Sequence, residues 1–151
     1  MSQRDPIRVF VTHGFEESED YARAFEYLES ARNFYYRNCS ATDVQLPSDS
    51  PEALREELRR QIGLAEVLIA LGSLYSTQQS LLLFELNYAK ACDKPVVLLP
   101  PFGHEPLEPK LLKGLVDESV PWDERALVDA VRRQARHEET TRWDTIEFKL
   151  D

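Results

Sequence analysis

Several residue types that define whole classes of protein are scarce in this chain of 151 residues. Its 2 cysteines, Cys39 and Cys92, are too few for a structural zinc site or a disulfide framework. Its 3 histidines, at positions 13, 104 and 137, lack the close spacing of a metal-binding motif. No stretch approaches the ~18 apolar residues of a membrane-spanning helix, and the N-terminus lacks a signal-peptide core. We therefore expect a cytoplasmic protein without a bound metal or cofactor.

Positively charged residues are also fewer than negatively charged ones. The chain has 18 Lys and Arg residues against 27 Asp and Glu residues, which gives a formal net charge of −9. Such a chain repels phosphate groups, so neither nucleic acid nor an anionic membrane is an expected partner. Hydrophobic residues make up 42% of the chain, enough for a globular core.

The length corresponds to one domain, which we place at residues 1–138, with a C-terminal tail at 139–151. In the tail, apolar Ile146, Phe148 and Leu150 alternate with polar residues. This alternation predicts an extra strand, either at the edge of the sheet or paired with a second subunit in a homo-oligomer.

Segments with the composition of strands alternate with helical patterns along the chain. Strands are predicted over 7–12, 34–39, 67–71, 95–99 and 119–122, and helices over 18–32, 50–63, 79–92 and 123–136. This alternation predicts an α/β fold, a flavodoxin-like three-layer sandwich whose five parallel strands have the order 2-1-3-4-5.

The helix boundaries carry their own signals. Ser18 and Asp123 are predicted N-caps, and Ser50 followed by Pro51 predicts the start of another helix. Gly63 fits the end of that helix. Ser73 and Ser76 are predicted to cap the helix over 79–92 rather than to act as nucleophiles.

In this strand order a crevice is expected beyond the carboxyl ends of the first and third strands. The residues that follow these strands, or lie beside them, are the candidate binding residues: Thr12, His13, Gly14, Phe15, Tyr36, Asn38, Ser73 and Tyr75. Simpler interpretations remain open for three of them. His13 is also explained as a surface loop residue, Tyr36 as part of the core, and Asn38 as a turn former.

The most informative residue is Glu85. Its neighbours on the same face of the predicted helix are all apolar: Leu81, Leu82, Tyr88 and Ala89. A buried, unpaired carboxylate costs several kcal/mol. Glu85 therefore either forms an ion pair with an arginine such as Arg8, or is exposed by a tilt of the helix, or faces a polar hollow that serves a function.

Four segments together resemble small TIR-like proteins of bacteria and archaea. They are residues 9–13 (VFVTH), 67–71 (VLIAL), 84–89 (FELNYA) and 94–97 (KPVV), and a late tryptophan of that family has a counterpart in Trp122. The resemblance covers about residues 7–135 in order and spacing. The family includes the TIR-like signalling subunit of Thoeris antiphage defence systems.

The resemblance implies that Glu85 is catalytic, since Leu86 and Ala89 also match the pattern around the glutamate of enzymatic TIR domains. It differs at Leu81, where a tryptophan is usual, and at Thr12, where the family has a serine. The residues that would line the site are Thr12, His13 and Ser73, with an aromatic ring of Phe15, Tyr36 or Tyr75 stacked on nicotinamide or adenine.

The implied activity is that of an NADase, with NAD as substrate rather than as cofactor. Cleavage of the nicotinamide–ribose bond would yield ADP-ribose, a cyclic isomer or a conjugate, sensed by a downstream effector in antiphage defence. Two alternatives remain open. A non-catalytic TIR-like scaffold predicts that Glu85 is ion-paired or exposed. A nucleoside deoxyribosyltransferase-like enzyme would use Glu85 as its nucleophile.

Overall fold

A single five-stranded parallel sheet organises the computed structural model, which describes residues 4–105 and 108–137. Its strands are β1 (Ile7–Val11), β2 (Tyr36–Asn38), β3 (Val67–Leu71), β4 (Val96–Leu99) and β5 (Glu118–Ser119). Their order is β2-β1-β3-β4-β5, and every pairing is parallel. The predicted α/β, flavodoxin-like architecture is confirmed.

Helices cover both faces of this sheet. They are α1 (Glu19–Ser30), α2 (Pro51–Leu64), α3 (Leu74–Thr77), α4 (Gln79–Ala91) and α5 (Glu124–Arg136), with a 3₁₀ turn at Lys110–Leu112. Helix α1 packs against α5, and α2 packs against α4. Right-handed crossovers place these two pairs on opposite faces, which gives three layers.

The core lies along the central strands. All five residues of β3 and all four of β4 are buried, as expected for parallel strands covered on both faces. Strand β1 is buried except at Arg8. The register pairs Phe10 of β1 with Leu68 of β3, and Leu68 with Val96 of β4. The carboxyl ends of β1, β3 and β4 therefore meet at one edge of the sheet.

The predicted helix starts are confirmed by their hydrogen bonds. The side chain of Ser18 accepts the Tyr21 N–H, that of Ser50 accepts the Ala53 N–H, and Asp123 caps α5.

The prediction that Ser73 and Ser76 cap the helix over 79–92 was wrong. Ser73 precedes the short helix α3 without a side-chain cap, and α4 follows Gln78. Four residues are too few to show helical periodicity, which is why α3 was not predicted.

Several predicted boundaries differ from the structure by one to three residues. Strand β2 begins after Phe34, a buried core residue. Strand β5 ends before Pro121, which has no N–H to donate to a sheet. Gly63 does not end α2, because it keeps a helical backbone conformation and the helix continues to Leu64. The tail at 139–151 and its predicted strand lie outside the described residues.

Within residues 4–105 and 108–137, no helix combines the length and the apolar character needed to cross a membrane.

The buried sheet predicts a large cost for shortening a central side chain. We expect Leu68→Ala to lower the free energy of unfolding by about 2–5 kcal/mol, because Leu68 is fully buried in β3. Leu111, which is 56% exposed, provides the control, and its change to alanine should alter stability by less than about 0.5 kcal/mol. Chemical denaturation measures both, and equal losses would contradict the assigned core.

Candidate functional site

Thr12 marks the point where β1 ends beside β3. Its backbone N–H donates to the Ile69 carbonyl oxygen at 3.0 Å, and its hydroxyl oxygen accepts the Leu71 N–H at 2.9 Å. Thr12 is fully buried. In this conformation its hydroxyl is used to join two strand ends, and a role for Thr12 in lining a binding crevice stays a prediction.

His13 is held at both ring nitrogens. Its Nε2 lies 2.9 Å from Gln61 Oε1, and its Nδ1 accepts the Phe15 N–H at 3.0 Å. The ring packs edge-on against the rings of Phe15 and Tyr21 and is only 1% exposed. Burial lowers the pKa of His13 below its ordinary value, which favours the neutral imidazole. The alternative that His13 is a surface loop residue is wrong.

Glu85 lies next to His13, across the edge of the sheet. The backbone N–H of His13 donates to Glu85 Oε1 at 3.1 Å. The other carboxyl oxygen, Oε2, is buried and has no hydrogen-bond partner among the described residues. Burial raises the pKa of Glu85 well above its ordinary value, while the His13 N–H opposes this shift. In this conformation the carboxyl group therefore favours its protonated, neutral form.

Both simple explanations for Glu85 are contradicted. The residue is 0% exposed, so the helix is not tilted to place it in solvent. Arg8 forms its ion pair with Glu66 and donates to the Leu64 carbonyl oxygen instead. Among the described residues no cation pairs with Glu85. The carboxyl group does not open onto a solvent-filled hollow in this conformation, since no atom of Glu85 reaches solvent.

The loop after His13 lies against a glutamine side chain. Phe15 adopts a left-handed backbone conformation with φ of 67°, which is uncommon for a residue other than glycine. An added Cβ on Gly14 would lie 1.6 Å from Gln78 Oε1, so the amide of Gln78 rests directly on the Gly14 backbone. Side chains larger than glycine at position 14 would push Gln78 away.

Three buried side-chain oxygens in the described residues have no hydrogen-bond partner: Ser73 Oγ, Gln78 Oε1 and Glu85 Oε2. All three follow β3, either in the turn after it or around α4. Buried polar atoms are normally paired, and those that are not concentrate at sites of function. The segment after β3 therefore contains buried polar groups whose hydrogen bonds are not made within the described residues.

Two cavities are lined in part by predicted binding residues. One, of about 550 Å³, lies between α1 and the residues after β2, and its lining includes Tyr36 and Asn38. The other, of about 410 Å³, includes Ser73 together with Asp20 and Arg23 of α1. Tyr36 and Asn38 are therefore in one cavity and Ser73 is in another, and neither cavity is lined by His13 or Glu85.

The remaining predicted residues have simpler placements. Phe15 contacts the His13 ring, and Tyr75 is partly buried against the core. The described residues contain no group of three or more His, Cys, Asp or Glu side chains suited to a metal ion.

Sequence reasoning missed Gln61 and Gln78. Gln61 lies between Leu58 and Ile62 on the buried stripe of α2 and is itself fully buried. It is a polar residue in an apolar stripe, which is the signal that identified Glu85. Gln78 has no comparable signal, because its position depends on the unpredicted helix α3.

Comparison with known proteins gives no family assignment. No family model matches the chain, and no curated protein is significantly similar to it in sequence. The TIR-like resemblance of the four segments therefore stays a prediction.

The buried carboxyl group predicts that Glu85→Gln stabilises the protein at neutral pH. The folded state holds the Glu85 pKa above the ordinary value of 4.5, so it binds a proton that the unfolded state releases. Stability from the neutral group is complete below about pH 4.5 and is lost as the pH rises. We expect the variant to be more stable than the parent at pH 7, with the gain shrinking as the pH falls towards 4.5.

Denaturation curves between about pH 4 and pH 8 measure this gain. Glu66→Gln is the matched control with the opposite sign, because Glu66 binds Arg136 and Arg8 and its pKa is lowered. A Glu85→Gln variant that is less stable than the parent at pH 7 would contradict the assignment of a neutral, unpaired carboxyl group.

Proposed function

We propose that this chain is a TIR-like, NAD-consuming enzyme in which Glu85 stabilises the positive charge that develops on the ribose. The observation that carries the proposal is the state of Glu85. It is fully buried, held by one backbone N–H, and unpaired with any cation of the described residues. Retaining such a group costs stability, and a role in chemistry accounts for that cost.

The reaction needs little more than a carboxylate. In NAD the nicotinamide nitrogen is already positive, so the C–N bond breaks with its electron pair leaving on a neutral nicotinamide. No general acid is required. The ribose carbon is left with oxocarbenium character, the type of transition state that glycosidases stabilise with carboxylates. A carboxylate in a water-poor site acts strongly on such a charge.

The proposed chemistry needs an ionised Glu85, whereas burial of Glu85 favours its neutral form. Without substrate the neutral form is favoured, because no positive charge lies beside the group. A cationic nicotinamide ribose next to the carboxyl would favour the ionised form, since a nearby opposite charge lowers a carboxyl pKa. Substrate binding would therefore produce the active charge state.

Access to Glu85 requires movement of neighbouring groups, because the residue is fully buried. His13 binds the carboxyl group through its backbone N–H, and Gly14, which follows it, lies against the Gln78 amide. Phe15 has a left-handed backbone conformation and Gln78 Oε1 has no hydrogen-bond partner, so we take residues 13–15 and Gln78 as the cover of the site. We propose that NAD binds with this cover displaced.

The fate of the ribosyl group decides the product. Attack by water gives ADP-ribose, attack by the substrate's own adenine or ribose gives a cyclic form, and attack by another small molecule gives a conjugate. In each case the attacking atom forms the new bond to the ribose carbon. A water or hydroxyl nucleophile then releases its proton to solvent, whereas an adenine ring nitrogen carries no proton and leaves the adenine positively charged. Following the TIR-like resemblance, we propose that a cyclic or conjugated product signals to an effector in antiphage defence, with the chain acting as a homo-oligomer.

The scaffold alternative gains no support from Glu85, which is neither ion-paired with a described residue nor exposed. A deoxyribosyltransferase-like reaction also uses a glutamate on a helix, and a substrate panel separates it from NAD cleavage.

The proposal predicts that the concentrated protein releases nicotinamide from NAD and that Glu85→Gln lowers the rate about 100- to 1000-fold. The amide keeps the size and the hydrogen bond to His13 but lacks the negative charge. Product analysis by mass spectrometry measures the rate and identifies the ribosyl product. Glu56→Gln, a change on the exposed face of α2, is the control and should retain full activity.

Two results would contradict the proposal. One is full turnover by Glu85→Gln. The other is base exchange on deoxynucleosides without cleavage of NAD.

A further inference from the structure

Gln61 is the best-connected buried side chain beside the candidate site. It lies on α2 and is fully buried. Its Oε1 accepts the Ala41 backbone N–H at 3.0 Å and lies 2.9 Å from His13 Nε2. Its Nε2 donates to the Ala41 carbonyl oxygen at 3.1 Å and to the Glu57 carboxylate at 2.9 Å. One side chain thus joins α2, the loop after β1 and the loop after β2.

These contacts fix where the protons are. The Ala41 N–H can only donate and its carbonyl can only accept, so the orientation of the Gln61 amide is determined. Because Oε1 is an acceptor, His13 Nε2 must carry the proton. His13 Nδ1 is then unprotonated and accepts the Phe15 N–H, as the 3.0 Å distance requires. The imidazole is held as one neutral tautomer.

The same histidine supplies the only hydrogen bond described for Glu85. The donor is the His13 backbone N–H, 3.1 Å from Glu85 Oε1. A ring fixed at both nitrogens restricts the backbone to which it is attached, so the Gln61 amide acts together with the hydrogen bonds of Thr12 on the direction of this N–H.

We propose that Gln61 is a positioning residue for Glu85, which holds the His13 ring and thereby the backbone N–H that binds the carboxyl group. A role of Gln61 in catalysis depends on the proposed function, whereas the hydrogen bonds that carry the positioning role do not.

The charged and titratable groups around His13 and Glu85 determine what the loss of Gln61 should change. His13 faces Tyr21 from α1, Glu57 from α2 and Glu85 from α4. Glu85 faces only the His13 N–H, and no charged side chain of the described residues shifts its ionisation. Burial raises the Glu85 pKa and this N–H opposes the rise, so loss of the N–H leaves burial unopposed.

The first test is the tautomer of His13. The chain has 3 histidines, so ¹⁵N-histidine labelling gives a simple spectrum. The parent should show His13 with its proton on Nε2. Gln61→Met, similar in length but without an acceptor oxygen, should lose this single tautomer. Glu57→Gln is the matched control, because it keeps an acceptor oxygen for the Gln61 amide and should leave the His13 tautomer unchanged.

The second test is the ionisation of Glu85. The stabilisation gained by Glu85→Gln begins to grow near the unfolded-state pKa and levels off at the folded-state pKa. A fit of this pH dependence therefore gives the midpoint of the Glu85 titration in the folded protein of each background. In the Gln61→Met background this midpoint should move up by about one pH unit, the effect of losing one hydrogen bond. The acidic limb of the NAD cleavage rate should move in the same direction, because the ionised form is the active one.

Gln61→Glu covers the case in which Gln61→Met does not fold. It keeps an acceptor oxygen beside His13 Nε2 and adds a negative charge, so the pKa of His13 should rise. An unchanged His13 titration in Gln61→Glu would overturn the proposal. So would a Gln61→Met protein in which both the His13 tautomer and the Glu85 midpoint match the parent.

A wrong assignment of the enzymatic activity would give a different experimental result. If the parent releases no nicotinamide from NAD, the proposed function is wrong. The tautomer and midpoint measurements still decide whether Gln61 positions Glu85.

Discussion

The hydrogen bond from the His13 backbone N–H to the Glu85 carboxyl is the contact on which the site depends. It joins the end of β1 to α4 and is the only bond that the described structure offers a fully buried acid. One backbone donor offsets only part of the cost of removing a carboxylate from water. The fold therefore holds Glu85 in a state that favours neutrality and responds to any positive charge brought beside it.

The surrounding architecture explains how such a group is tolerated. The buried strands β1, β3 and β4 form a rigid platform, and Thr12 ties the ends of β1 and β3 together. On this platform Gln61 fixes the His13 ring from the side of α2. Phe15, in the loop after His13, contacts the His13 ring, and the Gln78 amide lies against Gly14 of the same loop.

Much of the fold could be predicted because its signals are local. The apolar run of β3 and the caps at Ser18 and Ser50 each specify their own element. Glu85 was identifiable because a charge in an apolar helical stripe breaks a local rule. The full burial of Glu85 and the use of Gln61 could not be predicted, because both depend on side chains brought together by the tertiary fold. For the same reason an open crevice was expected where the structure has a covered carboxyl group.

The central claim is that Glu85 is a neutral acid that becomes a carboxylate when a positively charged ribosyl substrate binds. Carbon-13 labelling of glutamate, with the Glu85 carboxyl resonance assigned by comparison with Glu85→Gln, reports this charge directly. The account predicts a protonated carboxyl at neutral pH in the free protein and an ionised one after NAD is added. A resonance that titrates at the ordinary glutamate pKa in the free protein, or that does not respond to NAD, would contradict it.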